Sequence, residues 1–158
     1  MGRAMPLVHA AQRPPLILVV DDTDVSRALL RRQLIRDGLR TLLAEDGTHA
    51  IDLAERRRPN LMLLDLRLPD IDGAAVLSHL REEFSQSELP IIIVSAEHDG
   101  EVVAACLALG ANDYVTKPIH FPTLRARMQT HLTVQAAHLA MMKTGRANET
   151  GDGAASFA

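Results

Sequence analysis

Five short apolar segments alternate along this chain with five longer segments whose apolar residues return every three or four positions. The short ones, 16–20, 40–44, 61–65, 91–94 and 113–116, have strand length. Three of them, Leu16-Ile17-Leu18-Val19-Val20, Leu61-Met62-Leu63-Leu64 and Ile91-Ile92-Ile93-Val94, are apolar without interruption. Such runs suit strands covered on both faces. The longer segments, 23–37, 48–58, 74–84, 101–109 and one from near Pro122 to Lys143, carry the helical period, as at Val25, Leu29, Leu30 and Leu34. Gly38, Pro59 and Gly110 punctuate the ends. Strand and helix alternating five times implies parallel units joined by right-handed crossovers. The expected fold is α/β, a three-layer α/β/α sandwich around a five-stranded parallel sheet, with an extended last helix.

The size fits. The chain has 158 residues, enough for one domain with tails, and is 47% hydrophobic. We expect a leader over 1–14, the domain over 15–132, a helical extension over 133–143 and a polar, disordered tail over 144–158. Aromatics are only 3%, so the core is aliphatic and stacking on single-stranded nucleic acid is disfavoured. A net charge of -3 and only short basic clusters, Arg31-Arg32 and Arg56-Arg57-Arg58, argue against a phosphate-backbone surface. Cys106 is the only cysteine, so no internal disulfide forms. No run has bilayer-spanning length, and the first fifteen residues lack a secretory signal. A soluble, cytoplasmic protein is expected, with no nucleic acid and no membrane among its partners.

The polar residues that close the strands are the chemistry. Asp21 and Asp22 follow the first run, Asp65 the third, Ser95 the fourth and Lys117 the fifth. In a parallel sheet these ends share one edge, where ligands bind in open α/β folds. Two carboxylates a few ångströms apart repel by roughly 4 kcal/mol at an effective dielectric near 20. Three repel more, so the cluster calls for a cation or a proton. Hard oxygen donors suit Mg²⁺, with Mn²⁺ as the alternative. Lys117 adds a positive charge and Ser95 a hydroxyl donor, so phosphoryl oxygens can be neutralised while a carboxylate attacks phosphorus.

These motifs, in this order, resemble the receiver domain of two-component response regulators over roughly residues 16–132. Asp21-Asp22 is similar to the family's acidic pair, and Asp65-x-x-x-Pro69-x-x-Asp72-Gly73 to its phosphoacceptor loop. Ser95-Ala96 resembles the hydroxyl residue with its small neighbour, and Tyr114 the aromatic switch three residues before Lys117-Pro118. The resemblance implies the flavodoxin-like, doubly wound topology. It implies that Asp65 takes a phosphoryl group from a kinase phosphohistidine, or from a histidine phosphotransfer protein. Asp22 and Asp65 would ligate Mg²⁺ directly, Asp21 through water, and the Arg67 carbonyl would complete the protein ligands. Lys117 would pair with the phosphoryl oxygens. Ser95 would move to meet one of them, Tyr114 would swing into the space left, and the Lys117-Pro118 peptide would be cis. The chain would then be a phosphoacceptor signalling domain, catalysing only its own phosphorylation and dephosphorylation.

Plainer readings stand beside these. Thr23 or Asp22 also suits a helix N-cap, Asp72 a turn, Ser95 a cap, and Tyr114 core packing. Arg67 and Glu97, each two residues past a site residue, are expected on the pocket rim. If paired, they would obstruct water's approach, and replacing either with Ala would accelerate dephosphorylation. Leu124, Met128, Leu132, Gln135, Leu139 and Met142 step by four, four, three, four and three, close to a heptad seam. The early members must pack on the sheet, and the later ones are expected to pair with another protomer as a homodimer. His131 and His138 are expected on an exposed or dimer-facing side. An aspartate-nucleophile phosphatase of the haloacid dehalogenase type would want a second Asp where Arg67 stands. A flavin-binding module would want a phosphate-cradling loop where Asp21-Asp22 would repel phosphate.

Overall fold

The computed structural model describes residues 13–152, and side chains through residue 146. Its elements run β1 (Leu16–Val20), α1 (Asp24–Arg36), β2 (Arg40–Ala44), α2 (Gly47–Arg57), β3 (Leu61–Leu64), α3 (Gly73–Glu83), β4 (Ile91–Ser95), α4 (Gly100–Ala108), β5 (Asp113–Thr116) and α5 (Phe121–Asp152). The five strands form one parallel sheet in the order β2-β1-β3-β4-β5. This is the doubly wound, flavodoxin-like order expected, in which the winding reverses between β1 and β3 and leaves a crevice at their carboxyl ends.

The period-2 alternation inside each apolar run feeds two separate cores. Leu18, Val20, Met62, Leu64, Ile91 and Ile93 face one side, against Ala50 and Ala54 of α2, Val76, Leu77 and Leu80 of α3, and Cys106 of α4. Ile17, Val19, Leu61, Leu63, Ile92 and Val94 face the other, against Leu30 and Leu34 of α1 and Leu124, Met128 and Leu132 of α5. The central strands therefore read as unbroken apolar runs although each residue serves only one core. The edge strand β2 is buried completely only at Ala44.

Each of the helices α1 to α4 starts on a short polar cap. Thr23 Oγ1 accepts from Ser26 N, Asp46 from His49 N, Asp72 from Ala74 N, and Asp99 from Glu101 N. The caps place the helix starts, and hence the loops before them, at the carboxyl edge of the sheet. Gly38 and Gly110 take positive φ just past the ends of α1 and α4.

Two expectations about the last helix change. α5 continues to Asp152, so the stretch from residue 144, expected as a disordered tail, is helical as far as 152. No proline interrupts it, and the isolated Gly145 and Gly151 do not end a helix that is already nucleated. The leader, residues 1–12, and residues 153–158 lie outside the described residues. Gln135, taken as a seam position, is buried instead: Asn60 Nδ2 donates to its side-chain carbonyl at 3.4 Å and its Nε2 donates to the Glu88 carbonyl at 3.5 Å. The helix thus stays on the domain one turn beyond Leu132.

Candidate functional site

β1 and β3 end side by side, Val20 in register with Leu64. The next residues, Asp21 and Asp65, therefore emerge together at the switch-point crevice. Backbone bonds hold both: Asp21 N donates to the Ala44 carbonyl and Asp65 N to the Val20 carbonyl. Lys117 reaches across from the end of β5. Its Nζ lies 2.7 Å from Asp21 Oδ2 and 2.8 Å from Asp65 Oδ2. The two carboxylates are 3% and 8% exposed, so one ammonium is shared by two nearly buried acids. Burial works against the charge on Lys117, but the hydrogen bonds and field of Asp21 and Asp65 prevail and hold its pKa above the ordinary lysine value.

The remaining lone pairs are partly used. Asp21 Oδ1 accepts from Thr23 N at 2.9 Å and from Thr23 Oγ1 at 3.1 Å. Asp65 Oδ1 accepts from Arg67 N at 3.2 Å. Asp22 is exposed and, among the described residues, nothing donates to its carboxylate. One oxygen from each of Asp21, Asp22 and Asp65 can be chosen so that all three lie within 4.8 Å of one another. Three carboxylates against one lysine leave the cluster formally short of positive charge. The donors are all hard oxygens, so the set fits a small divalent cation. Arg67 carries its carbonyl on the loop beside this cluster, while its side chain is exposed.

Ser95 ends β4, 1% exposed, and its Oγ accepts from Glu97 N at 3.2 Å. It is thus a turn-forming hydroxyl as well as a site residue. Tyr114 packs partly against the core and donates from Oη to the Glu97 carbonyl at 2.5 Å. Burial raises the Tyr114 pKa, against a hydrogen bond with Ser95 that lowers it. The packing reading of Tyr114 therefore holds, and its ring is also tied to the loop that follows Ser95. The Lys117-Pro118 peptide is cis, as expected.

The pair expected across the mouth does not form. Glu97 turns back on its own loop, where Oε1 accepts from His98 N at 3.1 Å and Asp99 N at 3.0 Å. Among the described residues no ion pair joins it to Arg67. Backbone donors one and two residues away reach the carboxylate at less conformational cost than a guanidinium across the cleft. The proposed obstruction of water by an Arg67–Glu97 pair loses its basis.

Several supporting residues escaped the sequence reading. Arg27 donates from Nη1 to the Asp21 carbonyl at 2.5 Å and also pairs with Asp24, fixing the start of α1 against the site. Asp70, in the loop after Asp65, accepts from Gly47 N, Thr48 N and Thr48 Oγ1 at the start of α2. Gly73 is required by a close approach: a Cβ there would sit 2.3 Å from the Asp65 carbonyl oxygen. The Asp-Gly pair signalled a turn, but not which backbone it had to touch. His131, expected outside, is half-buried with Nε2 3.1 Å from Asp113 Oδ2.

Comparison with known proteins decides the family. The response regulator receiver domain model matches residues 17–129. The chain belongs to that family. The receiver is 40% identical over 119 residues to response regulator MprA of Mycobacterium sp. (strain KMS), covering 75% of this chain and 51% of that one. The chain spans about half the length of the curated relatives it matches. A CheY-like receiver domain protein from Methanospirillum hungatei shares the fold, with a TM-score of 0.75 at 24% identity over 80% of this chain and 99% of that chain. The receiver domain of a sensor histidine kinase from Pseudomonas aeruginosa, solved with a magnesium ion in its active-site cleft, superposes with a TM-score of 0.70. It is 31% identical, covering 77% of this chain and 99% of the other. This chain is thus the phosphoacceptor type of signalling domain used in two-component systems. Among the described residues no helix is long and apolar enough to cross a membrane.

Proposed function

We propose that Asp65 accepts a phosphoryl group from the phosphohistidine of a sensor histidine kinase or histidine phosphotransfer protein. One observation carries this reading: the Lys117 ammonium bridges Asp21 and Asp65 at 2.7 and 2.8 Å beside the unpartnered Asp22. An Asp65 oxygen forms the new P–O bond as the P–N bond breaks, and the imidazole leaves. Asp21, Asp22, Asp65 and the Arg67 carbonyl would hold Mg²⁺, with Mn²⁺ able to substitute. The bound cation supplies charge neutralisation for the phosphoryl oxygens.

The chain's own groups do the rest. Lys117, already charged and oriented, exchanges a carboxylate oxygen for a phosphoryl oxygen. Ser95 breaks its contact with Glu97 N and donates its hydroxyl to a second phosphoryl oxygen. Tyr114 follows, because its Oη is bonded to the same Glu97 whose amide Ser95 engages. The signal is this rearrangement of the β4–α4 loop and β5, which alters what the domain binds. Outside phosphoryl transfer to and from Asp65 the domain turns over no substrate. Such a partner places it on the cytoplasmic side of the membrane.

A homodimer through α5 is supported by one observation. Beyond Gln135, Leu139 and Met142 are 40% and 52% exposed, although they continue the stripe that earlier packs on the sheet.

The test is Phos-tag electrophoresis after acetyl phosphate with Mg²⁺. Wild type shifts, and Asp65→Asn and EDTA-treated wild type do not. A shift that persists in Asp65→Asn refutes the assignment.

A further inference from the structure

The loop from Asp65 to Gly73 carries the Arg67 carbonyl, which the proposed function assigns to the cation, yet it makes few bonds to itself. Gly73 N donates to the Leu66 carbonyl at 2.9 Å and Arg67 N to Asp65 Oδ1. The tip is held from outside. Asp70 Oδ1 accepts from Gly47 N at 2.8 Å, and its Oδ2 accepts from Thr48 N at 2.9 Å and Thr48 Oγ1 at 2.6 Å. Together with Asp46, which takes His49 N, it satisfies the free amides of the first turn of α2. The next residue, Ile71, lies flush on Gly47, where a Cβ would meet its Cγ1 at 2.3 Å.

The anchor is chemically strong for an exposed side chain. The Thr48 hydroxyl and the backbone amides of Gly47, Thr48 and Ile71 hold the Asp70 carboxyl well below the usual carboxylate range. It is therefore an anion throughout the physiological range, with its bonds charge-assisted. α2, to which it fastens the loop, follows β2 directly, and the last residue of β2 holds the first acidic strand end, since Asp21 N bonds the Ala44 carbonyl. The loops after β1, β2 and β3 are thus tied into one frame around the acidic cluster.

We propose that Asp70 is a positioning residue: by clasping the start of α2 it presets the Asp65–Gly73 loop, and with it the Arg67 carbonyl, for divalent cation binding. This rests on the proposed function. Without the clasp, cation binding must itself order the loop, and that ordering entropy subtracts from affinity. Ile71 still packs on Gly47, so the fold and the transfer step remain.

The experiment measures Mg²⁺ binding by titration calorimetry on the unphosphorylated chain, and the Mg²⁺ dependence of phosphorylation by acetyl phosphate. Asp70→Ala weakens Mg²⁺ binding about tenfold, the lower end for groups that orient metal ligands. The half-saturating Mg²⁺ concentration rises in parallel, while the rate at saturating Mg²⁺ stays within about twofold of wild type. Asp70→Asn, which keeps one acceptor oxygen, falls between. Should Asp70→Ala fail to fold, Thr48→Val decides, because it removes only the hydroxyl donor and shifts affinity in the same direction by less. Wild-type Mg²⁺ affinity in Asp70→Ala, or in Thr48→Val where that variant decides, overturns the proposal. So does a lowered saturating rate at unchanged affinity. Wild type that binds no Mg²⁺ overturns the proposed function, and the clasp with it.

Discussion

Gly73 shows how little freedom the site leaves at single positions. Its missing side chain lets the start of α3 press on the Asp65 carbonyl, and the collision partner is backbone, which cannot swing aside. In Gly73→Ala the gain in helix propensity, about 1 kcal/mol, is outweighed by overpacking of about 1–3 kcal/mol. The variant should unfold at lower urea than wild type with an unchanged m-value, and should displace Asp65. Equal midpoints would show that the loop relaxes more easily than its contacts imply. Lys117 is constrained differently, by charge: two nearly buried carboxylates share it, so it is oriented before any phosphate arrives. The acids and the lysine were legible in sequence because each closes a recognisable strand. The direction in which Glu97 turns was not, because two backbone amides, a local matter of loop geometry, outcompete a distant guanidinium.

Among the elements, Arg81 ties α3 to the segments that lead into β4 and β5, and Asp113 ties β5 to α5. Arg81 of α3 donates from Nε to the Gly110 carbonyl at 2.8 Å, from Nη1 to the Leu89 carbonyl at 2.9 Å and from Nη2 to Asn112 Oδ1 at 2.8 Å. Burial lowers its pKa to about 10, still charged at neutral pH. Arg81→Ala leaves those acceptors short of a donor and should cost about 3 kcal/mol in chemical denaturation. Acetyl phosphate labelling of the folded fraction should stay near wild type. A loss below about 1 kcal/mol would mean that water replaces the guanidinium there. Nothing in the local pattern singled out Arg81, since Leu89, Gly110 and Asn112, which take its shortest bonds, lie on later segments.

Asp113 at the start of β5 pairs with Arg127 at 2.8 Å and His131 at 3.1 Å on α5. Burial tends to raise its pKa, but the His131 hydrogen bond, the Tyr114 amide and Arg127 outweigh that and the net shift is downward. A depressed folded pKa stabilises above the unfolded value, near 3.9, and that contribution fades as pH falls through the folded pKa. Wild type should therefore exceed Asp113→Asn in unfolding free energy by about 1 kcal/mol at pH 5. The two should draw together only as pH falls below the unfolded value and through the lower folded pKa. A difference independent of pH would mean that shape, not charge, joins β5 to α5.

The whole molecule was largely readable because one periodicity sets both fold and site. Apolar runs covered on both faces force a parallel sheet, and a parallel sheet gathers every strand end on one edge. The Asp70–Thr48 clasp was not readable, because it depends on how two loops 22 residues apart close in space. α5 was half-readable: the heptad-like spacing is present, but Asn60 and Glu88 draw Gln135 onto the domain and leave the apolar stripe beyond it. If that stripe pairs two copies, beryllofluoride-treated protein should elute as a dimer by size-exclusion chromatography with light scattering. The double variant Leu139→Glu, Met142→Glu should then elute as a monomer and still take phosphate. A dimer that survives both substitutions would place the interface elsewhere.

Signalling by this domain turns on one bond, the proposed acyl phosphate at Asp65. Borohydride reduction of the phosphorylated chain converts an aspartyl phosphate to homoserine, which peptide mass mapping can locate. Homoserine is expected at position 65 alone, formed with Mg²⁺ and absent with EDTA. Homoserine at another aspartate, or at position 65 with EDTA present throughout, would contradict it.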